Sequence, residues 1–166
     1  MDNCAQNNFQ YKNKYLKYKN KYLNLLKQVG GVNPSNASII LISRGRILCV
    51  REMSGKWTLP GGKIETDERP FHAAKREFYE ETGNMLPDLR LEDKTFNKYD
   101  YVHRNSSITR IYIGHTDTPD LRFIIENTNG ETNALKYLTL DEIMSGEYDF
   151  HNYIINSLSK IFPNKN

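Results

Sequence analysis

The sequence has few cysteines and no long apolar run, and each absence excludes a class of protein. Only Cys4 and Cys49 occur among its 166 residues, so the disulfide framework of small secreted domains is not expected. No apolar stretch approaches the roughly 18 residues that a membrane-spanning helix needs, and the N-terminus carries no apolar signal-peptide core. We therefore expect a protein of a reducing compartment, the cytoplasm, without a transmembrane segment.

Length and composition predict one globular domain with an appendage. A chain of this length buries one sizeable core, and its 26% charged and 38% hydrophobic residues are typical of globular proteins. Residues 1–31 contain six lysines and one acid, which gives +5, so the rest of the chain carries −2 of the net charge of +3. We expect a basic helical leader at 1–31, a linker at 32–36 and a domain at 37–166.

The leader contains a short internal repeat and an aromatic stripe. Residues 12–18 and 19–25 are two copies of one lysine- and tyrosine-rich heptad. Apolar and tyrosine residues recur at alternating spacings of four and three, which predicts an amphipathic helix. Three roles remain open: self-association, which would give a homodimer, binding of RNA phosphates, or binding of an acidic membrane surface. The segment resembles a leader found on many proteins of giant DNA viruses.

The domain alternates between strand and helix patterns. Strands are predicted at 38–42, 47–52, 57–59, 63–65, 89–91, 95–102, 108–115 and 134–138, with a short one at 121–125. A central helix is predicted with Thr66 or Asp67 as its cap, Pro70 in its first turn and Gly83 as its stop. A short helix begins near Thr139, and a terminal helix covers 148–162. Mixed strands with flanking helices predict an α/β/α sandwich.

The stretch from Gly62 to Gly83 gathers acidic residues at helical spacing. Its pattern is Gly62, five residues, Glu68, seven residues, Arg76-Glu77-Phe78, one residue, Glu80-Glu81, one residue and Gly83. At about 100° per residue, Glu77, Glu80 and Glu81 fall within roughly one third of the helix circumference. Phe71, Ala74 and Phe78 lie toward the opposite side of the helix, which predicts that this side packs on the core.

Three crowded carboxylates repel one another unless a cation neutralises them. Magnesium takes oxygen ligands and usually shares its coordination shell with substrate phosphates. The helix therefore predicts a Mg²⁺ site, with Mn²⁺ as the alternative ion, and a diphosphate substrate. Gly61 and Gly62 allow the backbone to approach this site closely. The alternative interpretation is a helix whose glutamates simply face solvent. The spacing argues against it, because that interpretation leaves the positions of Gly62, Glu68 and Arg76 to coincidence.

This pattern resembles the signature box of the Nudix hydrolases at eight positions, and the preceding Trp57-Thr58-Leu59-Pro60-Gly61 resembles the family's lead-in. It departs from the family at Asn84, where an aliphatic residue is usual. The resemblance implies the α/β/α sandwich of that family, with a mixed sheet, over roughly 37–163. It also implies hydrolysis of a nucleoside diphosphate linked to another group, by attack of water at phosphorus.

The resemblance assigns expected roles to individual residues. The expected metal-binding set is Glu77, Glu80, Glu81, Glu68 and Gly61. The expected catalytic set is Glu77, Glu80, Arg76 and Glu131. Arg76 is expected to hold carboxylates in place with its guanidinium fork. Several family members place the general base on a loop outside the box, and here Glu131 and Glu126 are the candidates.

Substrate contacts are the least specific part of the pattern. The candidates are Trp57, Gly62, Arg51 and Tyr112, and the alternative for each aromatic residue is packing within the sheet. His103 and His115 are candidates for phosphate binding or proton transfer, against an ordinary structural role. Capped mRNA, free nucleotides, ADP-ribose-like compounds and diphosphoinositol phosphates remain open as substrates. The rival functions are a nucleotide-binding module without turnover and an interaction protein assembled through the leader.

Overall fold

The computed structural model describes residues 33–85, 97–117 and 121–163. The predictions for the leader, for Cys4 and for a strand at 89–91 lie outside the described residues. In chain order the elements are β1 (Asn36–Ser43), β2 (Arg46–Glu52), β3 (Trp57–Thr58), β4 (Gly61–Lys63), α1 (Pro70–Thr82), β5 (Asn97–Val102), β6 (Ile108–Thr116), a 3-10 turn (Ile125–Asn127), β7 (Thr132–Leu138), α2 (Leu140–Met144) and α3 (Asn152–Ile161). No helix within these ranges is long and apolar enough to cross a membrane.

Strand β1 lies at the centre of a mixed seven-stranded sheet. It pairs in parallel with β6 along its whole length, from Asn36 opposite Thr109 to Ser43 opposite Thr116. On its other side it pairs antiparallel with β4 at its start and with β2 at its end. Strands β3 and β7 continue the sheet from β2, and β5 pairs with β6. The central strand therefore holds β4, which leads into α1.

Helices cover both faces of the sheet, which confirms the predicted α/β/α sandwich. Because successive side chains of a strand alternate between faces, Ala37, Ile39 and Leu41 of β1 pack with Phe78 of α1. Ile40 points to the opposite face, where it joins a second core. The buried members that α2 and α3 add to this second core are Ile143, Ile154 and Leu158. Both cores meet at β1, so its apolar run is buried on two sides.

Helix α1 begins later than the sequence predicts. Its N-cap is Arg69, which makes no side-chain capping bond, so the prediction of a cap at Thr66 or Asp67 is wrong. Arg69 has an extended backbone (φ −76°, ψ 139°), which is the conformation that a following proline favours. Asp67 has φ 63° and lies in the preceding turn. Pro70 therefore sets the start of the helix, and it occupies the first turn as predicted.

Other elements also differ from their predicted positions. The strand expected at 63–65 is β4 at 61–63, because backbone pairing with β1 ends at Lys63. The segment 121–125 forms no strand and leads into the 3-10 turn. Helix α3 begins at Asn152 instead of Tyr148, because the Trp57 N–H donates to the Asp149 carbonyl at 2.8 Å and residue 150 bridges to β3. The corrections to β4 and to the start of α3 arise from contacts between residues distant in sequence.

Cys49 is a buried free thiol on β2. Burial raises the pKa of this thiol, which keeps it protonated and unreactive. It therefore contributes to packing in the second core.

The burial of Phe78 provides a test of which face of α1 packs on the sheet. Phe78 is fully buried, so Phe78→Ala should lower the free energy of unfolding by about 3–5 kcal/mol. Its neighbour Tyr79 is 39% exposed, and Tyr79→Ala should cost about 1 kcal/mol or less. Urea denaturation followed by circular dichroism measures both values, and equal losses would contradict the assignment of faces.

Candidate active site

Arg76 holds three glutamates of the box together. Its Nε and Nη2 donate to the two carboxylate oxygens of Glu68 at 3.1 and 3.0 Å. Its Nη1 donates to Glu77 Oε1 at 2.9 Å and to Glu80 Oε2 at 3.0 Å, and Nη2 also reaches the Lys63 carbonyl at 3.0 Å. The hydrogen bonds between the two groups raise the pKa of Arg76 and lower that of Glu68. Both side chains therefore stay charged.

Glu77 and Glu81 are buried, with 8% and 6% of the residue surface exposed to solvent. Burial raises the pKa of Glu81 from 4.5 to about 8. The Gly61 N–H, which donates to Glu81 Oε2 at 2.8 Å, opposes this shift, and the charges of Glu77, Glu131 and Glu52 add to it. Burial also raises the pKa of Glu77 despite its ion pair. Ionising these two neighbouring carboxyl groups in a buried position therefore costs free energy of desolvation, which a bound cation would offset.

The glycine pair brings the backbone of β4 against these side chains. A Cβ atom at Gly62 would lie 2.7 Å from both carboxylate oxygens of Glu77. Gly61 has φ 154°, and a Cβ there would lie 2.4 Å from the Ala37 carbonyl oxygen. Only glycine therefore permits this close approach of strand, helix and carboxylate. The adjoining cleft is lined by Lys63, Ile64, Glu65, Thr66, Arg76 and Glu77.

The box offers the ligand type of a hard divalent cation. Among residues 33–85, 97–117 and 121–163, no three His, Cys, Asp or Glu side chains already converge to hold a metal ion. Glu77 and Glu80 each give one carboxylate oxygen to Arg76, and Glu81 gives one to Gly61. Each glutamate has a second oxygen that none of these bonds uses. The residues therefore fit a divalent cation by ligand chemistry.

A loop between β6 and β7 closes over the C-terminal end of α1. The last carbonyls of a helix have no partner within it, and here the carbonyls of residues 80–83 accept hydrogen bonds from this loop and from Thr132, the first residue of β7. The pairs are Asn129 N–H to Glu80 O (2.9 Å), Thr132 Oγ1 to Glu81 O (2.5 Å), Ile124 N–H to Thr82 O (3.2 Å) and Asn127 Nδ2 to Gly83 O (3.2 Å). The loop is therefore attached to the end of the helix that carries Glu80 and Glu81.

Of the two loop glutamates predicted as bases, Glu131 is the one that the structure brings to the site. It is exposed, and its charge contributes to raising the pKa of both Glu77 and Glu81. Glu126 is also exposed and lies in the 3-10 turn. The catalytic role of either residue stays a prediction.

Arg51 and Trp57 lie side by side on paired strands. The Arg51 guanidinium is 5.9 Å from the centre of the Trp57 ring, and its Nε donates to Asn133 Oδ1 at 2.8 Å. Trp57 also packs edge-on against Tyr148, with ring centres 5.8 Å apart. These contacts account for both side chains structurally, and their role toward a substrate stays a prediction.

Tyr112 lies in the core on the α1 side of the sheet. It is 7% exposed and packs against Phe71, with ring centres 5.1 Å apart. His103 shares a 2.8 Å hydrogen bond with Thr109 Oγ1, and burial lowers its pKa. His115 is exposed on β6. Substrate or proton-transfer roles for these residues stay predictions.

Three polar residues near the site, Glu52, His151 and Tyr153, are not indicated by any pattern in the sequence. Glu52 Oε1 lies 2.9 Å from His151 Nε2, and the Tyr153 hydroxyl lies 3.3 Å from Thr58 Oγ1. Burial raises the pKa of Tyr153, and the charges of Glu81 and Glu52 add to that shift. A glutamate at a strand end and two residues near a helix start form no local motif, so only the fold reveals this polar group.

Comparison with known proteins identifies a family. A family model described as the NUDIX domain matches residues 32–158. A MutT-like protein of Streptomyces ambofaciens is 32% identical over 110 residues, which is 66% of this chain and 65% of that protein. An RNA pyrophosphohydrolase of Bartonella clarridgeiae is 29% identical over 127 residues, 68% of this chain and 73% of that protein.

A solved structure is similar in fold. It is a bifunctional NMN adenylyltransferase/ADP ribose pyrophosphatase from Francisella tularensis, complexed with AMP and a manganese ion. The TM-score is 0.57 at 25% identity, over 96% of this chain and 50% of that one. The chain thus spans just under two thirds of the Streptomyces protein and half of the Francisella protein.

The raised pKa of Glu81 predicts how the metal-free protein responds to pH. The unfolded chain releases this proton near pH 4.5 and the folded chain near pH 8. Between these values unfolding releases a proton, so the free energy of unfolding should fall as pH rises. Glu81→Gln should flatten this part of the pH dependence. Denaturant titrations across this range measure the difference between the two proteins, which isolates Glu81 from histidines that titrate there. Parallel curves would contradict the burial of an ionisable Glu81.

Proposed function

The chain belongs to the NUDIX hydrolase family, and on that premise we propose that it cleaves a diphosphate linkage in a nucleotide or nucleotide-derived substrate. One observation carries the proposal. Glu77 and Glu81 are buried beside a glycine pair, where their charges are only partly compensated. A folded protein keeps such a costly arrangement where a ligand makes it favourable. A divalent cation shared with a diphosphate supplies the missing positive charge.

The cation would be Mg²⁺, with Mn²⁺ as the alternative. Glu77, Glu80 and Glu81 would hold it, and Gly61, whose N–H binds Glu81, belongs to the same set. Glu68 acts through its two-point contact with Arg76. A bound divalent cation neutralises phosphate oxygens and promotes ionisation of water. The manganese ion in the Francisella structure supports a divalent ion in this family.

The protein's own groups position the reaction and move its proton. Arg76 holds Glu77 and Glu80 so that their carboxylates need little reorganisation when substrate binds. Water attacks phosphorus, its proton passes to the Glu131 carboxylate, and the bond to the leaving phosphate oxygen breaks. Glu77 is the alternative proton acceptor. Glu131 is favoured because it is exposed, whereas Glu77 is buried and bonded to Arg76.

Glu81→Gln tests the proposed hydrolysis. This change keeps the size of the side chain and an oxygen for the Gly61 N–H, but removes the charge that would bind the cation. We expect kcat to fall by more than the roughly 10- to 100-fold typical of losing an indirect metal contact. Stability should be unchanged or higher near neutral pH, because folding no longer requires protonation of a buried carboxyl group whose pKa is raised. The assay is product release from a panel of nucleoside diphosphate compounds with Mg²⁺.

Glu147→Gln is the matched control for this assay. Glu147 is exposed in the connection between α2 and α3, so its substitution should leave turnover unchanged. A panel on which the unmodified protein binds nucleotides but releases no product would instead favour the binding-module interpretation. Equal losses from both substitutions would contradict the assignment of Glu81 to the site.

Within this function, the 5′ end of RNA, including an mRNA cap, is the substrate class that we favour. The Bartonella relative is named an RNA pyrophosphohydrolase, and residues 1–31 carry a charge of +5, which suits contact with RNA phosphates. With this substrate class we propose a cytoplasmic location. The interaction-protein alternative instead uses the tyrosine stripe of the leader and predicts a homodimer.

Removing residues 1–31 separates these substrate classes. If the leader binds RNA, the truncated protein should lose activity on capped or 5′-triphosphate RNA and keep its activity on small diphosphates. The loss should shrink as salt rises, because phosphate contacts are screened and exchanged for counterions. Steady-state kinetics on both substrates at two salt concentrations measures this. An equal loss on both would contradict RNA binding by the leader, and size-exclusion chromatography of both proteins tests self-association.

A further inference from the structure

The chain on both sides of Glu131 is attached to the box helix. On one side, the Asn129 N–H donates to the Glu80 carbonyl at 2.9 Å. On the other, Thr132 Oγ1 donates to the Glu81 carbonyl at 2.5 Å. Thr132 is only 2% exposed, so water does not compete for this bond. The loop is thus anchored to the peptide groups of two glutamates that belong to the expected metal set.

The backbone of Glu131 itself is also held at both of its polar groups. Its N–H donates to Asn129 Oδ1 at 3.0 Å, and its carbonyl accepts the Met53 N–H at 3.0 Å. Gly130, which lies between Asn129 and Glu131, has φ 81°, and no atom lies within 4 Å of an added Cβ. A glycine is therefore favoured here by the backbone conformation and not by a lack of space for a side chain. Four hydrogen bonds therefore define where the Glu131 side chain leaves the backbone.

This attachment matters because the position of a general base is demanding. A base must come within hydrogen-bond distance of the proton that it accepts, and a displacement of about 1 Å can cost about 100-fold in rate. Glu131 is exposed on a loop, where an unattached backbone would sample many positions. The hydrogen bonds of Asn129 and Thr132 to the Glu80 and Glu81 carbonyls nevertheless hold its backbone next to the box helix, and its charge adds to the raised pKa of both Glu77 and Glu81.

We propose that Asn129 and Thr132 are positioning residues, which hold Glu131 at the distance from the box glutamates that proton transfer requires. The inference rests on the proposed function, in which Glu131 accepts the proton of the attacking water. The competing explanation is that both bonds only cap the end of α1. Asn127 distinguishes the two, because its Nδ2 caps the Gly83 carbonyl from the same loop without a bond to Glu131 or its neighbours.

The first experiment compares Thr132→Val, Thr132→Ser and Asn127→Ala in the full chain. Valine keeps the shape of threonine and removes the hydroxyl, so kcat should fall about 10- to 100-fold while KM changes little. Serine keeps the hydroxyl and should restore most of kcat. Asn127→Ala should lower the melting temperature but leave kcat unchanged. Equal kcat losses in Thr132→Val and Asn127→Ala would show simple capping and overturn the proposal.

A double-substitution cycle with Glu131→Gln is the decisive test. If Thr132 acts through Glu131, then Thr132→Val should not reduce kcat further in a Glu131→Gln background. Multiplicative losses would overturn the inference. Calorimetry measures the Mg²⁺ affinity of Thr132→Val. If this affinity falls in parallel with kcat, the Thr132 bond supports Glu81 as a metal ligand and not Glu131 as a base, which would also overturn the inference.

Hydrogen exchange gives a readout that does not depend on turnover. Asn129→Ala should speed exchange of the Glu131 amide, and Asn129→Asp, which keeps the acceptor oxygen, should not. Faster exchange with unchanged kcat would overturn the inference and leave the proposed function standing. Full activity of Glu131→Gln would show that Glu131 is not the general base and would overturn the inference. If the unmodified protein releases no product from any diphosphate, the proposed function itself is overturned.

Discussion

The structure depends on four glutamates and one arginine that share a small space. Glu68, Glu77 and Glu80 all bond to Arg76, whereas among the described residues Glu81 accepts its hydrogen bond from the backbone N–H of Gly61. Fully ionised, this group would carry a charge of −3, with two of its carboxylates withdrawn from water. Such an arrangement is unfavourable without a further cation, so the surrounding fold has to hold it in place.

Two parts of the fold provide that support. Phe78 anchors α1 in the core beneath it, so the glutamates on neighbouring turns cannot rotate away. Pairing of β4 with β1 holds the glycine pair against Glu77 and Glu81. Each support joins residues far apart in the sequence, and both converge on the central strand β1. The rigidity of the site therefore derives from the sheet as much as from the helix.

Local signals in the sequence predict the elements that local physics determines. The spacing of Phe78 and the glutamates gives the packed and acidic sides of α1, because helical geometry alone separates them. The turn at Arg44-Gly45 is equally local, with φ values of 50° and 75° that suit a two-residue hairpin.

Features that depend on long-range contacts are not predictable in this way. The polar group of Glu52, His151 and Tyr153 assembles from the end of β2 and the start of α3, and that start depends on the backbone of Trp57. The end of α1 is a further case, since the usual aliphatic residue after the box is replaced by Asn84. Its Nδ2 donates to both the Thr82 and Arg122 carbonyls at 2.8 Å.

The polar residue at this position fits the electrostatics of the helix end. Glu80 and Glu81 lie in the last turn of α1, where the helix dipole is negative and disfavours carboxylates. Residues between 124 and 132 donate hydrogen bonds to the carbonyls of residues 80–83, and these bonds offset part of that negative potential. Asn84 adds another donor at the same end and links it to Arg122, where an aliphatic side chain would offer neither. The loop that carries Glu131 thus stabilises the charges of the site through the backbone of the helix that bears them.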